Sequence, residues 1–271
     1  MTQKVRRIGF SQRVLLEWFE LTADLVHAGN DHAKLKHALQ DLLKEKVSVG
    51  SQVTRCSRDK IISILSKTWL SVPNHLISFR DYGLILLKNT PESEHIAIHW
   101  GMITAVYPFW SDVANQTGRL LRLQGSATAV QVQRRVREMY GERETVSRST
   151  RRVLQCFRDW GVLQNTDSKG IYTFGKTILI EDLQLIAWLI EAALHSHGNG
   201  SASLKESLNS PSFFPFRFKS VHDRNTRIEF RRLDVVRHGM DEELVILSKN
   251  IPKSLSNRTG VAEDHFETTD S

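Results

Sequence analysis

The sequence predicts a mainly α protein with a helical N-terminal domain over residues 1–124, a central domain over 125–197, a small C-terminal α+β element over 198–247 and a disordered tail over 248–271. Three observations carry this expectation. Apolar residues recur at three- and four-residue spacing through most of the first 200 positions, the period of a half-buried helix. Strand-like runs enter only after position 160, and the last stretch is polar and aperiodic.

The first helix is expected over residues 11–28, where Val14, Leu15, Trp18, Leu21, Leu25 and Val26 share a face before Gly29 and Asn30 stop the chain. A second amphipathic helix is expected over 31–46, followed by a loop at 47–53. Ser57 can cap a third helix that runs to Trp69, with Ile61, Ile62, Leu65 and Trp69 on one side. Pro73 and Asn74 break the chain, and helices over 75–87 and 94–107 follow. Pro108 suits the first turn of a sixth helix, which runs to about residue 123 and stops at Gly125. No internal repeat is present.

Towards the C-terminus, residues 182–195 read as a helix with Leu185, Ile186, Leu189, Ala192 and Ala193 inward. Residues 197–203, with Gly198, Gly200, Ser201 and Ser203, read as a flexible linker. Phe213, Phe214 and Phe216 around Pro215 form an apolar anchor. Residues 227–237 and 243–247 are strand-like and join through Gly239, Met240 and Asp241 as a candidate hairpin.

Composition narrows the function classes. Hydrophobic residues make up 40% and charged residues 25% of the 271, a globular mix that argues against wholesale disorder. Two cysteines, Cys56 and Cys156, are too few and too far apart for a disulfide framework or a paired-cysteine zinc site, and they fit a reducing cytoplasm. Lys4, Arg6 and Arg7 precede a stretch broken by Glu17, Glu20 and Asp24, which is not the apolar run of an export signal. The most apolar stretch, 96–110, contains His99, Gly101 and Pro108 and falls short of the ~20 residues that span a bilayer. The expected location is therefore the cytoplasm, with no membrane partner.

The net charge of +7 is unevenly spread. Residues 1–124 hold 16 Lys and Arg against 11 Asp and Glu, residues 125–175 hold 9 against 5, and residues 176–271 hold 12 against 14. The densest excess lies in the middle, and a basic region favours polyanions. A merely soluble basic protein would also carry +7.

That middle segment has a definite order. Thr128 and Gln131 have the spacing of a capping box. The helix that follows puts Ala129, Val132, Val136, Met139 and Tyr140 on one face, leaving Arg134, Arg135, Arg137 and Glu138 outside it, and Gly141 ends it. Ser147 is a good N-cap for a second helix whose apolar face is Val153, Leu154, Phe157 and Trp160. Its other face carries Arg148, Arg151, Arg152 and Gln155. Gly161 sits where a left-handed cap is wanted, Val162 and Leu163 start an extended run, residues 167–170 turn, and residues 171–174 return.

Helix, turn, arginine-faced helix and hairpin together resemble the winged helix-turn-helix family. The resemblance rests on residues 132–140, on Ser147, Arg148, Ser149, Thr150 and Arg151 through Leu154, on Trp160, Gly161, Val162 and Leu163, and on Lys169, Gly170, Ile171 and Tyr172. It spans 128–174 and implies that 125–197 is a winged helix-turn-helix domain whose second helix enters the DNA major groove. Arg148, Arg151, Arg152 and Gln155 are then expected at the groove, with Ser147 and Ser149 at the helix start and Arg134, Arg135 and Lys169 on phosphates. The competing reading is a solvated face on which these arginines pair with Glu142, Glu144 and Asp159. Many winged helices also bind protein rather than DNA.

A helical unit over 9–124 followed by this segment is similar in layout to the BrxA family of BREX phage-defence systems. Scattered positions support it, such as Gly9, Phe10 and Ser11, or Ser149, Thr150 and Arg151 with Trp160 and Gly161. The likeness covers about two-thirds of the chain, and the hairpin region over 213–247 departs from it. It implies a non-enzymatic DNA-binding component of a multi-gene bacterial defence system.

Catalytic constellations are weak by comparison. His95 and His99 are four apart, but Ile96 stands where a zinc protease needs Glu, and no third ligand is visible, so no metal is expected. His195 and His197 flank the expected linker and read as solvated. Gly198 and Gly200 lack the flanks of a phosphate loop, and no Gly-x-Ser-x-Gly occurs. Glu229, Asp234, Asp241, Glu242 and Glu243, near Arg231 and Arg232, fit a salt-bridged β-surface better than a metal-dependent nuclease. The aromatic density from Trp100 to Trp110 fits core better than a base-stacking platform.

The expected function is therefore a cytoplasmic double-stranded DNA-binding protein, not an enzyme and without cofactor, acting in phage defence or as a regulator. Other defence proteins are candidate partners for the helical domain, and a homodimer stays open. The alternatives are a protein-protein interaction scaffold within a multi-subunit complex and, third, a nuclease.

Overall fold

The computed structural model describes residues 7–47, 57–198, 200–219, 232–238 and 242–248. These residues are mainly helical. Six helices come first: α1 (Leu16–His27), α2 (His32–Leu43), α3 (Ser57–Trp69), α4 (Ile77–Asn89), α5 (His95–Val106) and α6 (Pro108–Gln124). β1 (Ala127–Thr128), α7 (Ala129–Tyr140), α8 (Glu144–Asp159), β2 (Leu163–Asn165) and β3 (Ile171–Phe174) follow. The rest comprises β4 (Ile178–Ile180), α9 (Leu183–His197), β5 (Ser201–Ser203), α10 (Leu204–Leu208), β6 (Phe216–Phe218), β7 (Leu233–His238) and β8 (Glu242–Leu247).

α5 is apolar on every side, and every residue from Ile96 to Ala105 is buried. A helix of that kind must be surrounded, and α1, α3, α4, α6 and α9 all pack against it. α9 lies close because two glycines admit Trp188. A Cβ at Gly101 would stand 2.4 Å from Trp188 Nε1, and one at Gly83 would stand 2.6 Å from its ring. The indole stacks on Phe79 at 3.6 Å between ring centroids and donates to the Ile98 carbonyl at 3.3 Å. Trp100 and Trp110 are fully buried, as the core reading of that stretch expected, and Phe214 and Phe216 of the C-terminal anchor pack edge-on against Trp100.

Several expectations need correction. Helix α1 starts at Leu16, not at residue 11. Residues 7–15 are non-helical and run as a strap across α8, with Phe10 and Val14 fully buried. Apolar spacing cannot separate a helix from a strap when both bury positions four apart. The linker expected over 197–203 is also different: Gly198 caps α9 with φ +67°, and Ser201–Ser203 form β5, paired antiparallel with β8. His195, expected to be solvated, has a side chain only 12% exposed, beside Glu191. The His197 side chain, the turn at 239–241, residues 227–231 and the expected tail beyond Ser248 lie outside the described residues.

Short sheets finish the structure. β5, β8 and β7 form one antiparallel sheet in the order β5-β8-β7, and β4 pairs with β6 in parallel. Arg232, just before β7, is 4% exposed and reaches into the helical core, where it makes a bidentate pair with Glu191 at 2.9 Å and donates to Ser78 Oγ at 3.0 Å. At the surface Arg237 meets Glu243 at 3.9 Å. Of the residues expected on a salt-bridged surface, Glu243 is in such a pair, with Arg237, whereas Arg232 is an interior residue. Among the described residues no helix is long and apolar enough to cross a membrane.

Candidate nucleic-acid interface

The capping box forms as expected. Gln131 N–H donates to Thr128 Oγ1 and Thr128 N–H to Gln131 Oε1, both at 3.1 Å, which fixes the start of α7. Val132, Val136 and Tyr140 face inward, and the Tyr140 hydroxyl donates to Asp112 Oδ2 on α6 at 2.8 Å. Gly141, at φ +89°, lets the chain turn sharply into α8. Beyond α8, Gly161 takes φ +74° and the hairpin β2–β3 follows. β1 pairs with the far edge of β3, so the small antiparallel sheet has the order β1-β3-β2. Gly170, in the hairpin turn, accepts Ala129 N–H at 2.8 Å and so ties the hairpin to the start of α7.

α8 is the best-anchored element of this segment. Val146, Ser149, Thr150, Val153, Leu154, Cys156 and Phe157 are buried along it. A further stripe is covered by the N-terminal strap: Arg152 donates to the Ser11 carbonyl, Val14 N–H to Cys156 Sγ at 3.3 Å, Trp160 Nε1 to the Val14 carbonyl at 3.0 Å, and Arg13 pairs with Asp159. Burial pushes the Cys156 thiol up to about 12, so it is a packing group and not a nucleophile.

What remains open on α8 is one stripe. Arg148 and Arg151 are exposed, and Gln155 is half-buried beside them. Arg148 meets Glu144 Oε1 at 2.6 Å one turn earlier. Arg151 makes no hydrogen bond or ion pair among the described residues. On α7, Arg134 is exposed and stands 3.7 Å from Glu138, while Arg135 is half-buried. Lys169 is exposed in the hairpin turn.

Three of the expected interface residues are placed otherwise. Ser147 is not the N-cap: α8 begins at Glu144, the extended Arg143 occupies the cap position with its side chain turned to the Tyr140 carbonyl at 3.0 Å, and Ser147 is half-buried within the first turns. An acidic side chain in the first turn and the buried Val146 favour this earlier start. Ser149 is 5% exposed and packs inward, so it cannot reach a groove. Arg152 is half-buried and committed to the strap; burial, and then the neighbouring Arg148, hold its guanidinium below the usual arginine value. The residue spacing of α8 contains no sign of that strap, which lies more than a hundred positions upstream. The expected pairing with Glu144 is present at Arg148, whereas Glu142 meets Arg137 at 3.3 Å and Asp159 meets Arg13 and Arg158.

The histidine pair on α5 is bridged. Glu20 of α1 stands 3.2 Å from His95 Nδ1 and 3.1 Å from His99 Nε2, while Trp69 Nε1 donates to His99 Nδ1 at 3.2 Å. Burial, opposed by Glu20, pushes the fully buried His99 below its usual value. Burial works against charge on Glu20, but the His99 and His95 contacts outweigh it and hold that carboxyl low. No group of three or more His, Cys, Asp or Glu among the described residues is arranged to hold a metal ion.

No family model matches the chain, and no curated protein or solved structure proves similar to it.

Proposed function

We propose that the chain is a double-stranded DNA-binding protein in which α8 lies against the major groove and the β2–β3 hairpin touches the backbone beside it. One observation carries the reading: α8 is buried on most of its circumference, and the stripe left open holds Arg148 and Arg151 with Gln155. A helix fits the major groove, arginine makes bidentate bonds to guanine or to phosphate, and glutamine does so to adenine. The order β1-α7-α8-β2-β3, with the sheet order β1-β3-β2, supports a winged helix-turn-helix reading of this segment. Lys169 in the hairpin turn and Arg134 and Arg135 on α7 then serve phosphates. A role in a BREX-like phage-defence system, or as a regulator, is part of the same proposal and rests on the likeness in layout alone.

A second reading, a protein-protein scaffold, draws on exposed apolar residues. Leu123 at the end of α6 and Val130 at the start of α7 are 76% and 73% exposed, and a protein partner would cover them. Fluorescence anisotropy on a labelled duplex at several salt concentrations separates the two. DNA binding weakens steeply with salt, by a log-log slope of about −0.9 per phosphate neutralised. A duplex left free at low salt removes the DNA-binding reading.

A further inference from the structure

Glu144 is an acidic residue at the head of the stripe assigned to DNA. It opens α8, it is exposed, and Arg148 holds it at 2.6 Å. The groups that follow along the open stripe are Arg148, Arg151 and Gln155, and none is acidic. A carboxylate among them repels the phosphates that the arginines attract. It also sits in the first turn of the helix, and the first residues of a groove-bound helix are the ones that meet base edges.

We propose that Glu144 is a specificity-determining residue: it restrains Arg148 from indiscriminate phosphate contact and accepts a hydrogen bond from a cytosine amino group at a matching site. This rests on the DNA-binding reading of α8. The pair geometry supports it. The side chains of Arg148 and Glu144 are 54% and 81% exposed, so the bond between them is solvated and weak enough to exchange. On a random duplex Arg148 must leave its partner to reach a phosphate, and Glu144 is left facing negative charge. At a matching site Arg148 takes guanine and Glu144 takes the cytosine amino group of a nearby pair, so both charges are satisfied together. Specificity then comes from an unfavourable contact on wrong sequences as much as from a favourable one on the right sequence. A structural role for Glu144 also exists, since an acidic group in a first helical turn favours the helix dipole, and the test must separate the two.

The experiment uses the full chain as wild type, Glu144→Ala and Glu144→Gln. Duplexes are selected from a random-sequence library, and affinities for the selected duplex and for a random one are then measured by anisotropy at one salt concentration. Wild type is expected to select a motif containing a cytosine. Glu144→Ala is expected to bind random duplex more tightly and to lose about tenfold in the ratio of selected to random affinity. Glu144→Gln is expected to move the preference at that same position from cytosine towards adenine, which Gln reads. A helix-stabilising role alone would lower the melting temperature of both variants and leave the selected motif and the ratio where they were, and that result overturns the proposal. Equal binding of all duplexes by wild type overturns it too, with DNA binding itself intact. Failure of wild type to bind any duplex removes the DNA-binding reading and this proposal together.

Discussion

Arg148 and Arg152 stand one turn apart on α8 and meet opposite fates. Arg148 is exposed and holds only a solvated carboxylate, so the pair adds little to stability. Arg152 is half-buried and donates to the Ser11 carbonyl of the strap. Arg152→Ala should therefore lower stability by about 1 kcal/mol in urea unfolding while leaving the salt slope of DNA binding unchanged. A slope reduced by one phosphate would return Arg152 to the groove. His99 offers a second test at this scale. Its folded-state value lies below its ordinary 6.5, so the unfolded chain binds the proton first and stability falls as pH drops below 6.5. Glu20, also held low, adds a loss in the same direction below its ordinary 4.5. Urea midpoints should fall between pH 7.5 and 5.5 in wild type and fall less in His99→Gln; equal falls would remove His99 as the source. Spacing alone revealed that His95 and His99 share a face, but not that Glu20 joins them, because that contact comes from a different helix.

At the scale of elements, local chemistry was readable where a residue does one local job. Thr128 with Gln131, Pro108, Gly125 and Gly161 act on their own turn of chain, and each terminates or starts the element expected. Failures occurred where a distant partner decides. Val14 reads as the first turn of a helix, yet it is fully buried on α8 as part of a strap, because Cys156 and Trp160 give its backbone groups partners that a helix would otherwise supply. Ser201–Ser203, small residues just after Gly198 and Gly200, look like linker but are held by the backbone of β8. The open stripe of α8 was half readable: i, i+3 and i+7 spacing placed Arg148, Arg151 and Gln155 together, whereas Arg152 one step round the helix fell under the strap. Ser147 illustrates a third kind of miss, since a good capping residue is passed over when an acidic residue three positions earlier opens the helix.

For the whole molecule, the C-terminal sheet is fastened to the helical core by charge as well as by apolar packing. Arg232 and Glu191 are both 4% exposed at their side chains, and the guanidinium also lies 5.5 Å from the Tyr82 ring centroid. A buried pair adds little net stability, but breaking it strands a charge. Glu191→Ala should destabilise by about 3–5 kcal/mol in chemical denaturation, and replacing Glu191 and Arg232 together with Leu and Met should restore much of the loss. A loss under about 1 kcal/mol for the single variant would show the pair to be solvated. That core holds α8 directly, through Phe157 against Trp100 and Trp110, and the strap holds it from the other side, with one face outward.

The function assigned to that face is tested most directly by salt titration of duplex binding, comparing wild type with the Arg148→Ala, Arg151→Ala double variant. Both arginines are exposed, so the variant should fold with an unchanged circular-dichroism spectrum. Wild type should bind with a steep negative log-log slope, and the variant should bind more weakly with a slope shallower by up to about 0.9 for each phosphate it no longer neutralises. Coincident titrations at every salt concentration would contradict the placement of α8 on DNA.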